Sequence, residues 1–511
     1  MAVRYVLGVD LGTTAVKVGL FDDKGRVVAT ATQEHVLITP SANIVEQTSE
    51  AYWNAFSLGL KNTIQKAGIC ASDIVSLSVS AQGETMVFLD EQMQPMSNFI
   101  VWMDARALDE AETINSWFSA EEQLAKTGQG PICSIYPASK VLWVKRNQPE
   151  IFAKAKKIVL LEDYFFYKMC GRLSGEGSLW CTSYMWDINS KKWWPEMLEK
   201  LDVREEQLPE IVEPGTKLGT ILPDIAEELG LSKDLTLVMG ALDQACGAIG
   251  VGNVKPGVFS ECTGGALVVA TLTEDIVFDA GGELPCFYGA LPGLYMLHAG
   301  AKGGIIFRWL RDTLCSEEMT QAKEKHLNAY DLMGEQAAKV EAGSGGLVVL
   351  PYWGGAGAPD TDQYARGTIY GLGLEHTKAH IIRAFMEATA MNIRRMVEYS
   401  ERVTGKPVTE IRSLGGGSLS PVWCQIKADT LGRPVVTMKN TQDAACLGAA
   451  VLAGVGVGLW PSASALTDSV VEIEHVYEPN PANKEAYDRL AERYDELVKC
   501  LKGHTKVLGS K

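Results

Sequence analysis

The stretch "GVDLGTTAVKVGLFD", residues 8–22, contains the pattern that decides the fold. A short apolar run ends in an acid at Asp10, a turn of small residues begins at Gly12, and a second apolar run follows. Apolar runs separated by a glycine-containing turn predict the two strands of a hairpin. "GRVVATATQEH", residues 25–35, predicts a third strand, so we expect the chain to begin with an antiparallel meander.

The next segments change from helix to strand. "SEAYWNAFSLGLKNTIQKAG", residues 49–68, has apolar residues at helical spacing, with Ser49 as the candidate N-cap. "DIVSLSVSAQ", residues 73–82, again predicts a strand. Strands that alternate with helices indicate the α/β class.

The second half of the chain repeats this arrangement. "GVFSECTGGALVVATLT", residues 257–273, is again a strand, a turn of small residues and an apolar strand. Two domains of related architecture are therefore expected, and "GVGNVKP", residues 250–256, marks the boundary between them. We place the N-terminal domain at residues 1–252 and the C-terminal domain at residues 253–511.

Composition limits the possible functions. The chain of 511 residues has a net charge of −16, which argues against nucleic acid or an anionic membrane as a partner, because both need a basic protein face. Eleven cysteines without a CxxC pair indicate reduced thiols, and the short apolar run at the N-terminus is neither a signal peptide nor an anchor. We expect a cytoplasmic protein whose oligomeric state the sequence leaves open, with a homodimer as one alternative.

Three turns have the character of phosphate-binding turns. In the first, residues 12–14, backbone N–H groups and hydroxyls can face phosphate oxygens, while Asp10 can hold a hydrated Mg²⁺. The alternative is an ordinary hairpin turn with an aspartate that bonds to its own backbone. The other two are "ECTGGAL", residues 261–267, and "LGGGSLSP", residues 414–421, whose glycines let a ligand approach the backbone closely.

A lone acid, Asp243, stands in the small and apolar stretch "GALDQACGAIGVGNVKPG", residues 240–257. Such an acid must find partners elsewhere in the fold or have a raised pKa, and both situations are commoner at working sites than in plain cores. The alternative is a helix-capping aspartate, because "DQACGAIG" is able to open a helix.

In their order and spacing these segments resemble the FGGY family of carbohydrate kinases. The resemblance covers most of the chain and is carried, in chain order, by "GVDLGTTAVKVGLFD", "SAQGETMVFLD", "VWMDARA", "GALDQACGAIGVG", "PYWGGAGAPDTDQYARGTIYGL", "SLGGGSLSPVWCQIKADTLGRPV" and "DAACLGAAVLAG". It implies an α/β fold of two actin-like, ribonuclease-H-like domains with a deep cleft between them. It also implies an ATP- and Mg²⁺-dependent kinase that transfers the γ-phosphate to a hydroxyl of a small sugar.

The resemblance further implies the residues of the site. Asp243 is implied as the general base and, with Asp10, as a Mg²⁺ ligand. The implied sugar-binding residues are Gln82, Gly83, Glu84, Asp104 and Gln244. The implied nucleotide-binding residues are Gly12, Thr13, Thr14, Lys17, Thr263, Gly264, Gly304, Gly416, Gly417 and Ser418. Two alternatives stay open, since Asp104 can form a local ion pair with Arg106 and Lys17 can lie on a solvated strand edge.

The sugar-facing segment gives a mixed indication of the substrate. It shares Glu84 and Thr85 with glycerol kinases but has Gly83 where those enzymes carry an arginine, and the Met-His typical of xylulose kinases is also missing. We predict a substrate larger than glycerol, most naturally a pentulose such as xylulose. The alternatives are a kinase for glycerol or a four- to six-carbon polyol, and a non-catalytic actin-like protein that binds ATP.

Two departures from the family pattern concern the nucleotide side. Cys262 stands where members usually carry glycine, and "GAG", residues 355–357, stands where they carry a Glu-Arg pair. Neither departure changes Asp10 or Asp243, and both concern the affinity for the nucleotide.

Overall fold

The computed structural model describes residues 3–278 and 284–509. Its strands are β1 Tyr5–Leu11, β2 Ala15–Phe21, β3 Val27–Glu34, β4 Ile38–Ser41, β5 Ile44–Gln47, β6 Ile74–Ala81, β7 Met86–Leu89, β8 Phe99–Ile100, β9 Lys157–Leu160, β10 Ser174–Glu176, β11 Trp186–Asp187, β12 Lys192–Trp193, β13 Glu210–Val212, β14 Lys217–Thr220, β15 Thr236–Val238, β16 Ala241–Leu242, β17 Val258–Thr263, β18 Ala266–Thr273, β19 Cys286–Tyr288, β20 Tyr295–Lys302, β21 Val348–Leu350, β22 Thr368–Tyr370, β23 Glu410–Leu414, β24 Val435–Met438 and β25 Ile473–Tyr477.

The α-helices lie between these strands and at the C-terminal end of the chain. They are α1 Ser49–Ala67, α2 Leu108–Trp117, α3 Ala120–Thr127, α4 Pro137–Asn147, α5 Pro149–Lys154, α6 Leu161–Cys170, α7 Gly177–Trp180, α8 Pro195–Leu201, α9 Pro223–Leu229, α10 Asp243–Gly250, α11 Gly304–Leu314, α12 Ser316–Lys325, α13 Ala329–Ala337, α14 Lys378–Thr404, α15 Pro421–Leu431, α16 Ala444–Gly456, α17 Ala463–Val470, α18 Lys484–Leu501 and α19 Thr505–Gly509. Within residues 3–278 and 284–509 no helix is long and apolar enough to cross a bilayer.

The chain folds into two compact units. The first unit consists of Met1–Val254, Thr273–Met296 and Gln442–Val471, and the second consists of Lys255–Leu272, Leu297–Thr441 and Glu472–Lys511. The division at 252/253 that the sequence indicates stays a prediction. Contacts place the first break two residues later and return two later segments of the chain to the first unit.

The first unit is built on a mixed sheet in the order β14-β15-β6-β1-β2-β3, with β16 also paired to β6. β1, β2 and β3 pair antiparallel, which confirms the predicted meander, while β6 pairs parallel to β1. The carboxyl ends of β1 and β6 therefore lie at one edge of the sheet, where ligands of open α/β sheets bind.

The first helix begins one residue away from its predicted cap. Thr48 has extended backbone angles, and its side chain accepts a hydrogen bond from Ala51 N at 3.1 Å. The prediction of Ser49 as N-cap is wrong, because Ser49 is already the first helical residue. Both residue types can cap a helix, so the local sequence does not separate them.

α16 shows why the segment after residue 441 belongs to the first unit. A Cβ added at Gly8 of β1 would lie 1.9 Å from the carbonyl oxygen of Cys446, so helix and strand approach each other at backbone distance. This contact joins positions more than four hundred residues apart, which a boundary drawn from local composition does not anticipate.

The second unit repeats the strand pairing of the first. Its sheet runs in the order β20-β18-β17-β23-β24-β25, with β18 antiparallel and β23 parallel to β17. β17, β18 and β23 thus correspond to β1, β2 and β6, which agrees with the predicted relation between the halves. The long helix α14 packs through Phe385 and Ala388 onto α11 and α15 side chains in an apolar core.

Candidate active site

Asp10 lies near the end of β1, at the carboxyl edge of the first unit's sheet. Ser80 Oγ of the neighbouring β6 donates to Asp10 Oδ1 at 3.1 Å, and Lys17 is its register partner on β2. Burial raises the pKa of the Asp10 carboxyl, while the Ser80 hydrogen bond and the Lys17 charge oppose the rise. Among the described residues, the Asp10 carboxylate is therefore oriented by the Ser80 hydroxyl and forms no ion pair with Lys17.

The turn after β1 is tight and presents polar groups. Gly12 N donates to Ala15 O at 3.1 Å, and a Cβ at Gly12 would lie 2.9 Å from that oxygen. Thr13 Oγ1 accepts a hydrogen bond from Trp102 Nε1 at 2.9 Å. Thr14 is exposed, and its carbonyl accepts from His35 N at 2.9 Å.

Lys17 is engaged inside the first unit. Its Nζ donates to Gln442 O at 2.5 Å and to Asp443 Oδ1 at 3.3 Å. The structure therefore shows an ion pair rather than a solvated edge at this strand position. A phosphate contact by Lys17 stays a prediction.

Asp243 directly follows β16, a strand of the same sheet that carries Asp10. β16 pairs with β6 through Ala241 and Ser80, and Ser80 is also the register partner of Asp10. A helix does open at Asp243, as the alternative expects, but its N-cap position is Leu242 without a side-chain cap, so Asp243 is a residue of the first turn. Gln244 N donates to Asp243 Oδ1 at 2.6 Å.

The environment of Asp243 raises the pKa of its carboxyl to about 7. Burial is the main cause, and the negative charge of Asp10 adds to it. A carboxylate with a pKa near neutrality is suited to accept a proton at physiological pH.

A buried network holds the strand that precedes Asp243. Ser178 Oγ accepts from Leu242 N at 2.9 Å and donates to Glu176 Oε1 at 2.8 Å. Glu176 also accepts from Ser178 N and Leu179 N at 2.6 and 2.7 Å. Ser178 and Glu176 are fully buried, so this network fixes the backbone on which Asp243 is carried.

The predicted sugar-facing turn follows β6 at the same edge. Gln82 Nε2 donates to Tyr52 OH at 2.7 Å, while its Oε1 is buried and has no partner among the described residues. A Cβ at Gly83 would lie 3.0 Å from Leu242 Cδ1, which brings this turn against the strand that precedes Asp243. Glu84 has a φ of 52°, a left-handed conformation that is uncommon outside glycine.

Lys140 is a buried residue that sequence reasoning missed. Its Nζ donates to the carbonyl oxygens of Glu84, Val101 and Trp102 at 3.1, 3.0 and 3.3 Å. Burial lowers the pKa of Lys140 to about 7, and burial raises the pKa of the Glu84 carboxyl, an effect that the Lys140 charge opposes. A lysine at a helical position is typical of a surface, so its sequence gave no signal of this role.

An aromatic pair near Glu84 was also missed. The rings of Tyr136 and Tyr184 lie 4.7 Å apart, and the Tyr184 hydroxyl donates to Gly130 O at 2.5 Å. The charge of Glu84 contributes to the raised pKa of both tyrosines. A single sequence does not distinguish such rings from ordinary core residues.

Asp104 forms the local ion pair that was the alternative to sugar binding. Its Oδ1 accepts from Arg106 Nε at 2.8 Å, and its Oδ2 accepts from Val45 N at 2.6 Å and from an Arg106 terminal nitrogen at 2.7 Å. The carboxylate is fully buried and saturated with donors. These contacts give Asp104 a role in shaping its loop, and a sugar contact by Asp104 stays a prediction.

The second unit contains a cavity of about 480 Å³ at its two glycine turns. The predicted nucleotide residues that line it are Thr263, Gly264, Gly304, Gly416 and Gly417. Ser418 is not among the lining residues, and its hydroxyl donates to Gly415 O at 2.7 Å within its own turn. Gly304 N donates to Gly264 O at 2.7 Å, which fixes the start of α11 against the first turn.

The walls of this cavity include apolar residues for which the sequence analysis predicts no ligand contact. Phe307 lies between Tyr330 and Trp423, with ring centroids 5.8 and 4.8 Å away. Ile305 and Leu419 also line the cavity and are 45% and 79% exposed. Exposed apolar side chains at a glycine-lined cavity are suited to cover a flat ring.

Two family models match the chain. The N-terminal domain of the FGGY family of carbohydrate kinases matches residues 5–250, and its C-terminal domain matches residues 263–457. The chain is similar to a xylulose kinase of Bacillus subtilis (strain 168), with 28% identity over 99% of this chain and 98% of the relative. It is also similar to a gluconokinase of the same organism, with 29% identity over 91% of this chain and 90% of the relative.

Solved structures agree with these matches. The ligand-bound xylulose kinase from Lactobacillus acidophilus is 28% identical with a TM-score of 0.89, and the match covers 98% of each chain. The gluconate kinase from the same organism is 27% identical with a TM-score of 0.89, again over 98% of each chain. The predicted family and fold class are confirmed, and the chain belongs to the FGGY family of carbohydrate kinases.

Proposed function

We propose that this protein transfers the γ-phosphate of ATP to a hydroxyl of a pentulose such as xylulose. The proposal rests on Asp243, a half-buried carboxyl whose pKa is raised to about 7 beside the sugar-facing turn. A base of this kind accepts the proton of the attacking hydroxyl, which typically accelerates a reaction by about 10²–10⁴-fold.

The carboxylates of the first unit fit a magnesium ion. The negative charge of Asp10 adds to the raised pKa of Asp243, an effect that a cation bound by both carboxylates would relieve. Among the described residues no group of three or more metal-ligating side chains occurs, and Mg²⁺ needs only one or two carboxylates when phosphates and waters complete its shell. When bound, the ion neutralises charge on the transferring phosphoryl group.

The glycine-lined cavity of the second unit fits a nucleotide. Gly264, Gly304, Gly416 and Gly417 have no side chains, so phosphate oxygens can reach backbone N–H groups there. The aromatic and aliphatic wall offers an apolar surface for the base.

The groups around the sugar-facing turn favour a neutral polyhydroxyl ligand over a sugar acid. Gln82 Oε1 is an unpartnered acceptor, and Glu84 and Asp243 add carboxylates that accept hydrogen bonds from hydroxyls. The ammonium of Lys140, whose charge acts on Glu84, already donates to three carbonyl oxygens. A carboxylated sugar would meet the like charges of Glu84 and Asp243, so we expect gluconate to be a poorer substrate than a ketose.

The proposed substrate predicts the order of kcat/KM among sugars, polyols and sugar acids. We expect kcat/KM for the best pentulose to exceed that for glycerol and for gluconate by at least about tenfold, equivalent to about 1.4 kcal/mol of transition-state binding. A coupled assay of ADP release over a panel of ketoses, polyols and aldonates measures it. Gly83→Arg is expected to shift the ratio toward glycerol, because it adds a donor and fills space beside Leu242. Glycerol or gluconate as the best substrate would contradict the assignment.

The raised pKa of Asp243 predicts a pH dependence. Because the base works only in its ionised form, kcat/KM for the sugar should be low at acidic pH and rise as the pH increases. Mg²⁺ bound at Asp10 and Asp243 opposes the rise in the Asp243 pKa, so the midpoint with Mg²⁺ should lie at or below about 7. The rise is measured at saturating ATP and Mg²⁺ in buffers of constant ionic strength. A profile in which kcat/KM falls as the pH increases toward 7 would exclude Asp243 as the titrating base.

A further inference from the structure

A buried ion pair adjoins the nucleotide cavity of the second unit. Lys427 of α15 and Glu261 of β17 lie with Nζ and Oε1 2.6 Å apart, and both side chains are 0% exposed. Removing two charges from water costs more than their attraction returns unless their remaining donors and acceptors are also used. The hydrogen-bond partners around this pair therefore determine whether its burial is compensated.

The pair is completed by two hydroxyls. Lys427 Nζ donates to Thr263 Oγ1 and to Ser413 Oγ, each at 3.2 Å, in addition to Glu261. Thr263 Oγ1 donates to Glu261 Oε2 at 2.6 Å, and Ser413 Oγ donates to Glu261 Oε1. All three ammonium hydrogens have acceptors, and both carboxylate oxygens have donors. We call these four side chains the Glu261 network.

The network touches both glycine turns. Glu261 and Ser413 are register partners on the parallel strands β17 and β23, and each strand ends directly at one turn. A Cβ at Gly415 would lie 2.8 Å from Thr263 O, so the backbones of the two turns are in contact. A Cβ at Gly417 would lie 2.7 Å from Thr263 Cβ and 3.3 Å from Lys427 Nζ.

We propose that Glu261 and Lys427 are positioning residues that hold the two glycine turns at the spacing a nucleoside triphosphate requires, an inference that rests on the proposed function. Glycine-rich backbone is conformationally free, and ordering it on binding costs affinity. The network orders Thr263 and the residues around Ser413 before a ligand arrives. The pair has no net charge, so its effect is on geometry rather than on attraction of phosphate.

A double variant of Glu261 and Lys427 separates the effect of the ion pair on nucleotide affinity from its effect on the stability of the fold. Two apolar side chains of similar size can replace a buried ion pair without loss of stability, but they cannot orient the Thr263 and Ser413 hydroxyls. For Glu261→Leu with Lys427→Met we expect the midpoint of thermal unfolding to stay at or above that of wild type. We expect the Kd for Mg²⁺–ATP, measured by titration calorimetry, to rise at least about tenfold. KM for ATP should rise likewise, while KM for the sugar stays within about twofold.

A matched control is a second buried ion pair of the same unit. Arg383 Nε and Glu387 Oε1 lie 2.8 Å apart within α14, with side chains 8% and 1% exposed, and neither residue lines the cavity. Glu387→Gln should lower the unfolding midpoint and leave the Kd for nucleotide unchanged. Equal losses of affinity in this control and in the Glu261 network would show that affinity only follows stability, which overturns the inference.

If the double variant does not fold, a single substitution tests the effect of the Glu261 network on nucleotide affinity. Ser413→Ala keeps the ion pair and removes the link to the second turn, so it should weaken nucleotide binding by severalfold with little loss of stability. Wild-type affinity in the double variant, or in Ser413→Ala when the double variant fails to fold, would overturn the inference. Wild-type protein that does not bind Mg²⁺–ATP would instead contradict the proposed function itself.

Discussion

Asp243→Asn is expected to abolish nearly all turnover while the protein still binds Mg²⁺–ATP and sugar. The substitution keeps the shape of the side chain but removes the group that accepts the proton, and a positioned base contributes about 10²–10⁴-fold. We therefore expect kcat to fall by at least about 10²-fold, with the Kd for each ligand within severalfold of wild type. Steady-state assays give kcat, and calorimetry gives the two dissociation constants.

Asp22→Asn is the matched control for this variant. Asp22 is also a largely buried carboxylate of the first unit, but it accepts hydrogen bonds from Lys24 N, Arg26 N and the Arg26 side chain within its own turn. Its loss should affect stability and leave kcat close to wild type. An Asp243→Asn protein that retains a tenth of wild-type kcat would show that another group is the base.

Gly448→Ala is expected to destabilise the first unit and to displace the helix that carries Asp243. A Cβ at Gly448 of α16 would lie 1.9 Å from Cys246 O of α10, and a Cβ at Gly250 would lie 1.9 Å from Ala444 O. The two helices thus cross at backbone distance, where the clash is with main chain that cannot rotate away. We expect unfolding in urea to show a loss of about 3 kcal/mol or more.

The same variant should also lose activity beyond its loss of stability. A displacement of about 1 Å at a catalytic group can cost about 10²-fold in rate, so kcat measured well below the unfolding midpoint should fall. Gly247→Ala is the control in α10, because nothing lies within 4 Å of its Cβ position, and it should stabilise the protein by about 0.4–1 kcal/mol. A Gly448→Ala protein as stable as wild type would contradict the close helix crossing.

The parts of the fold that follow from short-range patterns were predictable. Period-two apolar runs and glycine turns gave the meander at β1–β3 and the hairpin at β17–β18, because strand alternation and turn chemistry act over a few residues. The cap of α1 was misplaced by one residue, since Thr48 and Ser49 have the same capping chemistry. The return of α16 to the first unit was not predictable, because it depends on the backbone contact of Gly8 with Cys446.

The residues of the candidate site likewise include some that the sequence indicates and some that it does not. Acids at strand ends and glycines in turns mark chemistry through residue type and position, so the sequence offers Asp10, Asp243 and the turns as candidates whose roles stay predictions. Lys140 and the Phe307 wall of the cavity were not found, because a helical lysine is typical of a surface and a helical phenylalanine of a core. For Asp104 a motif does not reveal that Arg106 and Val45 N already donate to its carboxylate.

Phosphorus NMR distinguishes transfer of a phosphoryl group from ATP to a sugar hydroxyl from simple hydrolysis of ATP. Wild-type protein is incubated with Mg²⁺–ATP and xylulose, and the resonances of ATP, ADP, sugar phosphate and inorganic phosphate are followed in one sample. We predict that ADP and a sugar phosphomonoester form in equal amounts, and that Asp243→Asn forms neither at a comparable rate. ADP that appears only with inorganic phosphate, at the same rate with and without any sugar of the panel, would contradict sugar phosphorylation and show that the protein only hydrolyses ATP.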